Sequence, residues 1–174
     1  PTIQTSLAVN VDGMDDSQPE SVLQTSLVAS SNAGFYYNLT RNLAGTSSAY
    51  YYLAFYFAEV DSRVNASGLR VFDIWVNGRS FFPNVDVYDR ARPYWAFEIY
   101  SPDPRGPYPD HILINATSTP SSVYPPFIAA LEILQVLDNP MVSATSLIDS
   151  KLATLFSSMH WNYSVLYSMY YPKL

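Results

Sequence analysis

The chain has no cysteine in 174 residues. Disulfides, thiolate metal clusters and thiol nucleophiles are all excluded, while nothing follows about redox compartment. Charge is scarce too: Asp, Glu, Lys and Arg make up 14% of residues, against roughly a quarter in an ordinary globular domain. The net charge of −6 argues against phosphate backbones and anionic membranes as partners. Histidine is limited to His111 and His160. No G-x-S-x-G elbow, P-loop, G-x-G-x-x-G or H-E-x-x-H motif occurs, so no catalytic residue, metal site or cofactor is assigned. The longest apolar run, Ala49–Ala58, is about half of what a bilayer requires. No basic and apolar leader opens the chain. If it is extracellular, the sequence is expected to be a processed or excerpted segment.

What is present is aromatic and turn-rich. Hydrophobic residues make up 48% and aromatics 16%, with fifteen tyrosines, thirteen prolines and six glycines. The length suits one domain with a sizeable core. Between the turn signals lie short β-prone runs at 22–28, 35–40, 50–60, 69–76, 94–100, 111–117 and 127–136. Many short strands at modest spacing predict an all-β sandwich or barrel.

In the 50–60 run, period-two alternation puts Tyr51, Leu53, Phe55 and Phe57 on one face, expected to form an inter-sheet core. Tyr52, Ala54, Tyr56 and Ala58 fall on the other, expected to be half-covered with hydroxyls reaching water. On that reading Tyr56 tolerates truncation better than Phe55 or Phe72. Asn77-Gly78 supplies the positive-φ pair of a type I′ hairpin turn. Glu59, at the end of the strand, reads as a hydrogen-bonded anchor for a neighbouring loop rather than as a catalytic acid. After Pro140 the apolar spacing predicts a short amphipathic helix at about 147–158, opened by Ser146 and Asp149. The expected organisation is a sandwich over residues 1–140 and a helical linker and tail over 141–174.

Paired carboxylates occur at Asp15-Asp16 and at Asp86 with Asp89. Both read as solvated loop acids, with a weak calcium site as the alternative. Aromatic platforms are the better ligand signal, because sugar rings present apolar C–H faces to Tyr and Trp. The candidates are Tyr36 and Tyr37 in "GFYYN" and Tyr94 and Trp95 in "RPYW", with ordinary packing as the competing explanation. Four Asn-x-Ser/Thr sequons, at Asn38, Asn65, Asn115 and Asn162, point to a secreted or cell-surface glycoprotein. Asn65 lies in a polar loop between two strong strands. Asn38 directly follows Tyr36 and Tyr37, where a glycan would crowd a sugar-binding face.

The blocks "PESVLQTS" (19–26), "YYLAFYFAEV" (51–60), "LRVFDIWVNG" (69–78) and "PPFIAALEILQV" (125–136) occur in this order. Together they resemble the malectin-like domain of plant receptor-like kinases, over roughly residues 1–138 and most closely its second tandem lobe. The resemblance implies a jelly-roll-like antiparallel β-sandwich in the extracellular part of a plasma-membrane receptor. It further implies a non-enzymatic module that binds cell-wall or glycoprotein oligosaccharide. The alternative is a module that binds a peptide or co-receptor protein without sugar. The family usually has Asn where this sequence has Ala129, and the Trp-Gly-Asp-Pro-Cys leading into leucine-rich repeats is absent.

Overall fold

The computed structural model describes residues 1–14, 18–40, 49–108, 111–137 and 164–170. The first half of the chain forms β1 (Thr2–Gln4), the short helix α1 (Glu20–Leu23), β2 (Thr25–Val28), β3 (Phe35–Thr40) and β4 (Ala49–Ala58). Next come β5 (Val71–Val76), β6 (Arg79–Asp86), helix α2 (Val87–Ala91), β7 (Ala96–Tyr100) and β8 (Arg105–Tyr108). The last strands are β9 (His111–Ser118), β10 (Phe127–Ile128), β11 (Ala130–Leu137) and β12 (Ser164–Tyr170). These strands make three antiparallel sheets, ordered β1-β2-β10, β12-β11-β4-β7 with β8 also on β4, and β3-β9-β5-β6. The all-β sandwich expected from the sequence is the observed architecture.

The core lies between the two larger sheets. Tyr51, Leu53, Phe55 and Phe57 leave one face of β4, each no more than 1% exposed. They pack with Phe72, Ile74 and Val76 of β5 and with Ile112 and Ile114 of β9. Phe57 lies 5.7 Å, centroid to centroid, from both Phe72 and Phe127. Edge-on and tilted aromatic contacts of this kind add to the area term. The hairpin between β5 and β6 turns on Asn77 (φ 47) and Gly78 (φ 74). Both residues are left-handed, as a type I′ turn requires.

The other face of β4 departs from expectation. Tyr56 is 1% exposed and Ala58 fully buried, in a second cluster with Val9, Leu23, Val60, Ala96 and Ala130. The N-terminal segment crosses this face and covers it, so the Tyr56 hydroxyl does not reach water. It donates instead to Glu132 Oε2 at 2.9 Å. The run 22–28 also differs. Glu20–Leu23 makes one helical turn before the strand, with the Gln24 N–H on the Glu20 carbonyl at 2.9 Å. Its Leu23 fills the second cluster. Ala129 is buried, and its N–H donates to the Tyr56 carbonyl at 3.1 Å between β10 and β11.

Within 141–174, expected as a helical linker and tail, residues 164–170 form β12 and extend the sheet beside β11. The helix expected at 147–158 lies outside the described residues, as do Asp15, Asp16, His160 and Asn162.

Candidate functional site

A cleft of about 670 Å³ opens beside β7, with walls from the Asp12–Met14 turn, the end of α2 and the strand itself. Its shape is set by three local devices. Asp86 caps α2, one carboxylate oxygen accepting the Asp89 N–H at 3.2 Å, which leaves Asp89 on the cleft wall. The other oxygen accepts from the Ser67 hydroxyl at 2.9 Å and the Gly68 N–H at 2.7 Å. This ties the helix start to the 65–68 loop. Asn10 builds the opposite wall: its Oδ1 accepts the Asp12 N–H at 2.7 Å, an Asx turn.

The third device is the segment Arg92–Trp95. Arg92 ends α2 at φ 67, ψ 166, a region populated almost only by glycine, and Tyr94 follows at φ 60. Such backbone costs about 1–3 kcal/mol per residue and persists only when its surroundings over-determine it. Here they do. The Tyr94 N–H donates to the Glu59 carbonyl at 3.0 Å and its carbonyl accepts the Asn10 N–H at 2.8 Å. The Ala96 N–H then donates to the Asn10 carbonyl at 2.7 Å. The chain is clamped between the end of β4 and the N-terminal segment, and Trp95 stays 40% exposed on the cleft wall.

Tyr100, 37% exposed, continues that aromatic surface. Phe97 lies between cleft and core, with the Arg90 guanidinium 5.5 Å over its ring. The charged residues Asp12, Asp89, Glu98, Arg90 and Arg92 also line the cleft. An apolar platform with hydrogen-bonding groups of both signs suits a polyhydroxylated ligand better than a purely anionic or apolar one.

The four aromatic candidates fall on different surfaces. Trp95 lines the cleft, while Tyr94 is half-buried against the second cluster. Tyr36 and Tyr37 point to opposite faces of β3. Tyr36 is 72% exposed. Tyr37 packs edge-on against Phe35 at 5.7 Å, and burial pushes its phenol pKa up. Sequence reasoning missed Asp12, Arg90, Arg92 and Tyr100 as cleft residues. The one available signal was Pro93, which bars Arg92 from continuing the helix. Of the pair Asp86 and Asp89, Asp86 is committed as a cap and Asp89 lines the cleft. Among the described residues no three His, Asp or Glu side chains gather as a metal site.

Glu59 belongs to a buried ionic network next to the clamp. Arg70 Nη1 lies 2.8 Å from both Glu59 oxygens and Nη2 lies 2.9 Å from Asp61 Oδ2. Arg63 grips Asp61 with two bonds of 2.8 Å. Burial pushes the Glu59 carboxyl up to about 7 against the opposing Arg70 charge. The Arg63 hydrogen bonds hold Asp61 down at about 2 despite burial. With both Glu59 oxygens tied to Arg70 and one also accepting the Asp61 N–H at 3.1 Å, this carboxyl anchors the 59–70 loop.

The family model for the malectin-like domain matches residues 1–136. Receptor-like protein 4 of Arabidopsis thaliana is 36% identical over 69 residues, covering 40% of this chain and 10% of that protein. The plant receptor-like kinase ANX2 superposes with a TM-score of 0.60 at 15% identity, over 78% of this chain and 38% of that one. The structure of the plant peptide RALF23 in complex with FER and LLG2 matches with a TM-score of 0.59 at 16% identity. That match covers 79% of this chain and 39% of the other. The chain thus spans a tenth of the curated relative and under two-fifths of these structures.

Proposed function

From its place in the malectin-like domain family, to which the chain belongs, we propose that it is an extracellular, non-catalytic recognition module of a receptor-type plant protein. Its ligand in this reading is an oligosaccharide held in the β7 cleft. The observation that carries it is Trp95, held exposed by a strained segment clamped by backbone hydrogen bonds to Glu59 and Asn10, with Tyr100, Asp12, Asp89 and Arg92 lining the same cleft. Sugar rings would stack on the indole while Asp12, Asp89 and Arg92 bond hydroxyls. The test is calorimetric titration with neutral cell-wall oligosaccharides, on the parent chain and on Trp95→Ala. Binding that weakens at least tenfold in the variant supports the reading, whereas no heat at millimolar sugar overturns it.

A second reading has its own support. The FER structure carries a peptide and a further protein, and the net charge of −6 here favours a basic peptide. Peptide capture that weakens steeply with salt, unaffected by sugar, would favour that reading.

A further inference from the structure

On the sheet away from the cleft, the most exposed large aromatic of the described residues stands between two sequons. Tyr36 is 72% exposed. Directly across from it on β9 is Asn115, and Asn38 follows two residues along β3, on the same face by strand alternation. Trp75 of β5 flanks Asn115 on its far side, again in direct register. Asn38 is exposed and Asn115 half-buried. By strand alternation Asn115 lies on the same outer face, between the buried Ile114 and Ala116.

We propose that Asn38 and Asn115 both carry N-linked glycans whose first sugars pack on the Tyr36 ring, so that the outer face of β3-β9-β5 is covered by the protein's own carbohydrate. In each modification the amide nitrogen bonds to the anomeric carbon of an oligosaccharide donor, and that carbon's bond to a lipid diphosphate breaks. The nitrogen releases one proton and the diphosphate leaves as the anion. Register favours this occupant over a docked protein. The two attachment points and the ring lie within one cross-strand neighbourhood, about 5–8 Å across, and an apolar sugar face stacks on an aromatic ring at that distance. The glycans would leave the β7 cleft, on the other large sheet, open.

The inference takes its cellular relevance from the extracellular reading, but its test does not depend on it. The full chain is secreted from a eukaryotic host behind a heterologous leader, and glycopeptide mass spectrometry reads occupancy. Both sites are expected to be occupied. Thermal melts then compare Tyr36→Ala in two backgrounds, the glycosylated chain and the Asn38→Gln/Thr117→Val variant, which keeps Asn115 but lacks both sequons. Tyr36→Ala is expected to lower Tm by roughly 2 °C or more with the glycans and to leave it unchanged without them. An empty site, or an equal Tm loss in both backgrounds, overturns the proposal. Because the leader forces secretion, either failure bears on this face alone and not on the chain's natural compartment.

Discussion

Arg70 holds both oxygens of Glu59 at 2.8 Å, with each side chain 2% exposed. Its guanidinium also lies 5.0 Å from the Phe127 ring centroid and 5.6 Å from that of Tyr124. Removing the cation alone would strand the buried Glu59, while Asp61 keeps its two bonds to Arg63. Arg70→Ala should therefore cost about 3–5 kcal/mol in urea unfolding. The double variant Arg70→Leu/Glu59→Leu should recover part of that loss, since no unpaired Glu59 charge is left behind.

The same network sets a pH dependence. The Glu59 carboxyl titrates near 7 in the folded chain, above its ordinary value of 4.5. The folded state thus holds a proton that the unfolded state gives up, and stability falls as pH rises from about 4.5 to 7. Asp61 works in reverse. Held at about 2, it contributes above its unfolded value of 3.8, and that contribution is lost as pH falls toward 2. Urea unfolding at pH 4.5, 6 and 7.5 should show a decline on the order of 1–3 kcal/mol. Glu59→Gln should flatten it, and an unchanged slope in that variant would remove Glu59 as the cause.

Phe55→Ala and Phe72→Ala should each cost about 3–5 kcal/mol, since both are buried between the sheets. Tyr56→Ala should now fall in the same range rather than below it. Tyr56→Phe, which keeps the ring and loses the hydroxyl that donates to Glu132, should cost about 1 kcal/mol. Denaturant midpoints for the four variants provide the check.

Arg92 is strained where glycine is at ease. Arg92→Gly should raise stability by about 1 kcal/mol, once the greater freedom of glycine in the unfolded chain is subtracted. Arg92→Ala keeps the strained φ and should bring no gain. In the cleft reading, Arg92→Gly should weaken ligand binding even as Tm rises.

The inter-sheet core was legible because alternation in β4 and β5 is a local property: Phe55, Phe57, Phe72 and Ile74 declare their face within a few residues. The Asn77-Gly78 turn was legible for the same reason. What covers the far face of β4 was not, because Val9 and Leu23 lie some thirty or more residues from Tyr56 in sequence, and periodicity carries no long-range term. β6 and β8 were missed because Pro83 and Pro107 argue against strands. The cleft was hidden for a different reason. Trp95 was visible as an aromatic, but the positive φ of Arg92 and Tyr94 is imposed by tertiary contacts with Asn10 and Glu59, against both residues' own preferences.

The pairing of β4 with β11 and of β2 with β10 has a kinetic side. β4 finds its neighbour β11 more than seventy residues later, and β2 waits about a hundred residues for β10. As the chain emerges from the ribosome, the ten-residue aromatic strand Ala49–Ala58 must stay unpaired on that edge until residues 130–137 have been made. Long-range closure of this kind is slow, and an uncharged β-prone segment left open in the interval is prone to self-association. Chains that stop before residue 127 should therefore accumulate as aggregates rather than as smaller folded units, however much of the sequence's recognition surface they retain.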